Sequence, residues 1–526
     1  MIRITIERSP REDALPLEKH LSSILSLPEG SFDYEIRKKS LDARRGRAKF
    51  VYTVDIFANG LDEEGLSKRI GGEIRAPESA YAFPASKRLP RLRPVVAGFG
   101  PAGIFAALCL ARAGMRPIVL ERGKIGEERK KDVDAFFSGG ELNENSNVQF
   151  GEGGAGAFSD GKLNTLVKDK SFRGQFVLHE LVNAGAPAET LYAAKPHIGT
   201  DLLRGVVENI RNEIIRLGGE IFFETELKSI VVKNGRLTTI ATSHGIIEAD
   251  TLFLATGQSA RNVAEMMLEK GAQLEKKPFS VGFRIEHPQS EIDVAQYGKS
   301  DELRFLPPAE YKLFKHCSTG RTVYSFCMCP GGQVVAAASE GERLVTNGMS
   351  YHARDGKNAN SAILCEILPK DLEDSIFAGY DYREALERAA FEMGGGDFTA
   401  PAMTVGEYMG KAKPKQISVT PTYPRGVRYC DVSKLFSSEI NESFREALAD
   451  FGRKIKGFDA DGAVITAIES RTSSPIRITR FDDRQSNLKG IYPLGEGAGY
   501  AGGIISAAID GVRSAEEYVN RLNENE

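Results

Sequence analysis

The sequence predicts an α/β chain: a doubly wound domain interrupted by an α+β domain and preceded by a small α/β module. Three observations carry this. A glycine loop, Gly98-Phe99-Gly100-Pro101-Ala102-Gly103, stands between a short apolar strand and an apolar helix. Two further glycine-bearing segments, 250–257 and 492–511, follow far downstream, and the first 90 residues alternate apolar and charged before a proline-spaced stretch. At roughly 150 residues per domain, 526 residues hold two to four domains, here read as 1–90, 91–272, 273–470 and 471–526.

Composition narrows the class. Hydrophobic residues at 41% and charged residues at 27% describe a globular protein, and a net charge of -3 argues against a surface built entirely for nucleic acid. Six cysteines, none in a CxxC, fit reduced thiols, so a cytoplasmic location is expected. The N-terminus alternates as a strand does and does not read as a signal peptide. The uncharged run 94–111 has the length of a membrane span, but its internal glycines and proline have another explanation below, so no membrane is expected. Glycine, at 54 residues, is about a tenth of the chain against a usual share of roughly 7%.

In the first module, Met1 to Glu7 reads as a strand, Leu15 to Leu27 as a helix and Ala48 to Ala58 as a strand, together a βαβ-type unit. Arg37 to Lys49 packs seven basic residues against Asp42 alone. It reads as a solvated hairpin turn, with an RNA-contacting surface as the alternative. From Met1 to Arg93 there are 18 basic and 14 acidic residues, a surplus too small to favour RNA strongly. Glu78 to Pro94 is a linker.

Val95 to Ala97 then forms a buried strand, and a helix runs from Ala102 to Arg112. Gly98 permits the tight turn, Gly100 lets a pyrophosphate approach the backbone, and Gly103 lets helix and strand pack. Pro101 and Ala102 open the helix, whose free N–H groups form the phosphate site. Strand Arg116 to Leu120 delivers Glu121, followed by Arg122, to the place where a carboxylate accepts both hydroxyls of an adenosine ribose. The reading is dinucleotide binding. Phe150 to Lys162, with Gly153 and Gly154, is glycine-dense enough for backbone to approach a planar ring or phosphates; a mobile surface loop is the competing reading.

A helix over 200–217 leads to a strand over 220–225 and a meander turning at Asn234-Gly235, a type I' signal, which ends in Asp250 to Gly257 with Thr256 at its tip. The last segment, Tyr492 to Gly511, holds Gly495, Glu496, Gly502 and Gly503 ahead of a final helix from Ile504.

In their order these segments resemble the flavoproteins of the glutathione-reductase type. That resemblance implies a Rossmann domain in which FAD touches the chain three times. Gly495 and Glu496 would lie beside the ribityl and pyrophosphate, and the final helix would face the flavin C2 carbonyl, where its dipole stabilises charge on reduced flavin. FGEGGAGAFSDGKL, SVGFRIEHP, YSFCMCPGG and NGMSYHARDGKNAN further resemble a bacterial family described as uncharacterised FAD-dependent dehydrogenases. This implies FAD and redox chemistry and supplies no substrate. With one dinucleotide fingerprint and no CxxxxC pair, a disulfide reductase is disfavoured, and NAD(P)H as reductant would visit transiently, as in single-Rossmann hydroxylases.

In the 273–470 domain, strands are expected at Phe279 to Ile285, Thr322 to Cys327 and Gln333 to Ala338. Cys327 and Cys329, at i and i+2, would share a face. They read as buried structural thiols, since a disulfide at that spacing is strained and no zinc set completes it; no metal is expected. Cys109 reads as core. His287, His352, Arg354 and the Gly410 to Lys415 cluster read first as structural or surface residues, each with an acid, base or anion-clamp alternative. Lys162 and His352 are the candidate catalytic proton donors. The expected function is an FAD-dependent oxidoreductase that moves a hydride between flavin N5 and an unidentified small molecule. The alternatives are flavin-dependent RNA modification through the basic module, and a non-catalytic flavin-binding interaction protein. Oligomeric state stays open.

Overall fold

The computed structural model describes residues 1–43, 47–57, 62–77, 80–165 and 167–524. Arg44 and Arg45 of the basic run, Ala58 of the expected strand and Glu78 of the linker lie outside the described residues.

Alternation in Ile2–Arg8 buries Ile2, Ile4 and Ile6 on one face. The strand lies inside a four-stranded antiparallel sheet of order Asp33–Asp42, Lys49–Phe57, Ile2–Arg8, Glu73–Ile74. Helices Leu17–Leu25 and Glu63–Ile70 cover that face with Leu17, Leu21, Leu25 and Leu66. The unit is a split βαβ, because Lys49–Phe57 inserts between the two strands that the first helices connect. Arg37, Lys38 and Lys39 lie in the edge strand and not in a turn. Arg37 pairs with Glu35 at 2.8 Å, Lys39 with Asp13 at 2.7 Å and Lys49 with Glu7 at 2.5 Å, so much of the basic run is neutralised within the module. The same edge strand docks on the next domain: Lys39 N–H donates to the Tyr192 carbonyl at 2.7 Å, and Ala194 N–H to that of Lys39 at 2.8 Å.

The centre of the molecule is a five-stranded parallel sheet of order Ile491–Pro493, Leu252–Leu254, Val95–Ala97, Ile118–Leu120, Glu220–Phe222. Three segments distant in sequence thus end side by side at one carboxyl edge. Helix Pro101–Arg112 buries Ala102 through Ala111 between this sheet and the final helix, Ile504–Glu524. A Cβ on Gly511 would lie 2.2 Å from the Ala102 carbonyl, so these helices touch backbone to backbone. That burial accounts for the uncharged run, and among the described residues no helix is long and apolar enough to cross a membrane. The other face is covered by a meander, Leu227–Lys233, Arg236–Thr242 and Gly245–Glu248, turning at Asn234 and Gly235, both at positive φ.

A mixed seven-stranded sheet forms the rest, with Asn358–Glu366, Ser280–Pro288 and Val464–Glu469 at its middle and Thr322–Cys329 beside them. Its connection to the central sheet is a ribbon in which Leu274–Lys276, leading in, pairs with Ile476–Ile478, leading out. The expected strand at Gln333 to Ala338 forms over Gln333–Ala336 and pairs with Thr346–Met349 in a separate ribbon.

Candidate active site

Where the three glycine segments converge, a cavity of about 1110 Å³ runs from the end of the central sheet to the underside of the seven-stranded sheet. At one end, the first glycine loop is as tight as backbone allows. A Cβ on Gly98 would lie 2.3 Å from the Ala255 carbonyl, and one on Gly103 1.9 Å from the Gly98 carbonyl. Gly103 therefore packs the loop and is not among the lining residues, whereas Gly98, Gly100, Pro101 and Ala102 line the cavity. Gly100 is the N-cap of the following helix and supplies no side-chain cap, so the first-turn amides are left for an anion.

Glu121 and Arg122 line the same end. Glu121 is buried, and its Oε2 accepts from the Phe99 N–H at 2.8 Å while Oε1 accepts from the Gly123 and Gly151 N–H groups at 2.9 Å each. Three of roughly four lone-pair positions are thus engaged by backbone. The carboxylate pins the glycine loop to the second glycine segment and leaves room for about one more donor, fewer than the two ribose hydroxyls expected of it.

That second segment is shaped by a residue that sequence reading missed. Arg129, fully buried on helix Gly126–Phe137, donates to the carbonyls of Asn147 (2.9 Å), Glu152 (2.6 Å), Gly154 (2.9 Å) and Val148 (3.1 Å). Burial pulls its pKa down to about 10, so it stays charged at neutral pH. Gly154, on the cavity wall, is pressed against Gly100: a Cβ there would lie 3.0 Å from the Gly100 Cα. Gly153, which the sequence placed beside it, turns inward against Ala157 and is not among the lining residues.

Thr256 and Gly257 line the cavity, as do Gly495, Glu496, Gly502, Gly503 and Ile504. Two unexpected residues join these segments. Gly497 lies so close to Gly257 that a Cβ would stand 2.4 Å from its carbonyl, and Asp510 accepts the Gly495 N–H at 2.9 Å while paired with Arg480. Burial pushes the Glu496 carboxyl up to about 7, against the opposing pull of Lys277 and Arg383.

The far end is a polar chamber under the seven-stranded sheet. Lys162 lines it and donates through Nζ to the Met328 carbonyl. Cys327, Asn347 and Glu469 line it too. Behind them Arg284, fully buried, pairs with Glu469 (2.9 Å) and donates to Asn347 Oδ1 and the Cys327 carbonyl (2.8 Å each). Charged residues on strands that are buried along their length, Arg284 within Ser280–Pro288 and Glu469 within Val464–Glu469, were the signal available for this pair.

His352 lies elsewhere. It is not among the described lining residues; its ring stacks on His197 at 5.2 Å and its Nδ1 sits 3.0 Å from the Ile198 carbonyl. Arg354 is paired with Asp160 and, at 2.8 Å, with Glu310. His287 is buried with Nε2 at 2.7 Å from the Phe458 carbonyl, and burial lowers its pKa to about 4. Lys411 of the 410–415 cluster pairs with Asp461 at 2.6 Å on the surface.

Comparison with known proteins places the chain among relatives. Residues 278–472 match the domain family described as "FAD-dependent protein, C-terminal domain-like", and residues 1–57 match a domain of unknown function. A Clostridium beijerinckii protein named as uncharacterized is 45% identical over 535 residues, spanning 99% of each chain. Among solved structures, L-proline dehydrogenase from P. horikoshii is 13% identical, covering 83% of this chain and 94% of its own, with a TM-score of 0.35. Glycine oxidase from Bacillus cereus is 11% identical over 83% and 96%, with a TM-score of 0.30.

Proposed function

The chain belongs to the family of that Clostridium beijerinckii protein, one of FAD-dependent proteins, and from this premise we propose that it is an oxidoreductase with FAD along the cavity and a small-molecule substrate in the chamber. The residues present fit the cofactor. Gly98 and Gly154 are packed backbone to backbone with no room for a Cβ, so no side chain stands over the uncapped helix start at Gly100, which suits a pyrophosphate. Bound there, FAD supplies two-electron chemistry by accepting or returning a hydride.

The protein's part is binding, orientation and exclusion of water. Backbone amides of the helix at Pro101–Arg112 hold the phosphates, Glu121 holds the loop that presents them, and Arg129 stiffens the wall opposite. Gly495, Glu496 and the residues around Ile504 frame the flavin half. The seven-stranded sheet roofs the chamber, where Lys162 offers a cation and a proton to an anionic or carbonyl group of the substrate.

One observation carries the reading: a single cavity joins the uncapped helix start to a chamber that holds a lysine and a buried carboxylate. The test is gentle purification followed by rapid mixing with NADH and NADPH. Retained flavin whose absorption band bleaches with either nucleotide supports an oxidoreductase. A colourless chain that refuses added FAD ends the proposal, and a flavin reducible by dithionite alone favours the non-catalytic binder.

A further inference from the structure

We propose that Cys327 and Cys329 form a two-electron dithiol/disulfide couple in the chamber that exchanges electrons with the bound flavin. The inference rests on FAD occupying the cavity and adds a second redox centre to it. Cys327 lines the chamber, and Cys329, two residues on, is fully buried behind it. Regular alternation would place both on one face of a strand. The ladder breaks instead: Phe326 faces Ala362 and Cys329 faces Asn360, so three steps on one strand oppose two on the other. Cys327 is the bulged residue, at φ 41. Its side chain lines the cavity, with Cys329 as a side-chain neighbour.

The surroundings suit a reactive thiol. The Cys329 thiol, which donates to the Cys327 carbonyl at 3.3 Å, neighbours the Cys327 side chain and with the nearby Arg284 and Lys162 holds that thiol below its ordinary value, while burial and Asp160 oppose them. Glu469 faces the same chamber but is paired with Arg284. The partner is held above its ordinary value, so Cys327 is the more acidic sulfur of the two and the one that loses its proton first. The remaining four are poor candidates: burial pushes Cys317 up to about 11 and Cys365 to about 12, and raises Cys109 and Cys430 as well. The bulge removes regular strand spacing here and leaves the two thiols as side-chain neighbours with a single residue between them. A disulfide closed over a single intervening residue is strained, which makes it easily reduced and fit to cycle.

In the oxidising direction, the Cys327 thiolate and the Cys329 thiol each give up one electron as an S–S bond forms between them and the Cys329 S–H bond breaks. The two electrons and that proton pass to oxidised FAD; charge and atoms balance without another reactant. The reverse step regenerates thiolate and thiol.

Two measurements on the full-length, FAD-loaded chain test this. After incubation with excess oxidised glutathione, alkylation and peptide mass mapping should show Cys327 and Cys329 both protected and their peptide lighter by two hydrogens. Cys109, Cys317 and Cys365 should remain thiols. Anaerobic dithionite titration of that oxidised protein should then take four electrons per FAD, falling to two in both Cys327→Ser and Cys329→Ser. A glutathione adduct that persists on Cys327, two alkylatable thiols after oxidation, or two electrons in the unsubstituted chain would each overturn the couple. The mapping reads the thiols alone and, repeated on the FAD-free chain, separates failure of the couple from failure of FAD binding.

Discussion

The guanidinium of Arg129 donates to the carbonyl of Gly154 at 2.9 Å, and so a helix with no direct part in the cavity sets the position of the wall facing the first glycine loop. The same group holds Asn147, Val148 and Glu152, which makes it the buried core of an otherwise irregular segment. Arg129→Met keeps the volume and strips four carbonyls of their donor. Each buried carbonyl left unpaired costs about 1 kcal/mol or more, so a loss on the order of 4 kcal/mol is expected, with weaker FAD binding. Arg129→Lys should rescue little, because an ammonium cannot match the planar fork. Urea unfolding and flavin-fluorescence titration check both; an unchanged FAD affinity in Arg129→Met removes the residue from the site.

Glu121 holds three backbone amides, so replacing one acceptor oxygen matters even without cofactor. In Glu121→Gln the amide NH2 must face one or more N–H donors, and a destabilisation of roughly 1–3 kcal/mol is expected in the FAD-free protein. A variant as stable as the parent would mean that the carboxylate serves the ribose alone.

The first half of the cavity was legible because its determinants are local. Strand, glycine loop, helix and strand-tip acid lie within 95–121, and each has a short-range physical reason. The chamber was not, because its chemistry comes from register. Arg284 meets Glu469 across strands 185 residues apart, and the bulge at Cys327 is invisible to an alternation pattern. His352 misled for the complementary reason: a polar stretch rich in candidates carries no information on which way a side chain turns, and this ring turns to His197.

Glu496 predicts a pH dependence. Its folded pKa, about 7, lies above its ordinary value of 4.5, so between those values the folded chain holds a proton that the unfolded chain has released. The associated stability is fully present below about pH 4.5 and is lost as pH rises through 7, up to about 3 kcal/mol. Glu496→Gln does not titrate. The Tm of the FAD-free parent should therefore fall relative to the variant across this window, and parallel Tm profiles would contradict a proton on Glu496.

Gly100 and Gly103 separate packing from binding. A methyl group on Gly103 would stand 1.9 Å from the Gly98 carbonyl and 3.0 Å from its carbon, both backbone atoms that strand and helix hold in place, so Gly103→Ala should cost the domain its fold. On Gly100 the nearest atom is the Gly154 Cα at 3.7 Å, ordinary contact, and its φ of -86 suits alanine. Gly100→Ala should thus leave the unfolding free energy of the FAD-free protein within about 1 kcal/mol of the parent. The added methyl occupies the approach to the helix amides, where a pyrophosphate would sit, and FAD affinity should drop at least tenfold by about 1.4 kcal/mol. Calorimetry on the FAD-free chain paired with flavin titration reads the two effects apart. If Gly100→Ala binds FAD as the parent does, the dinucleotide does not lie over this helix start.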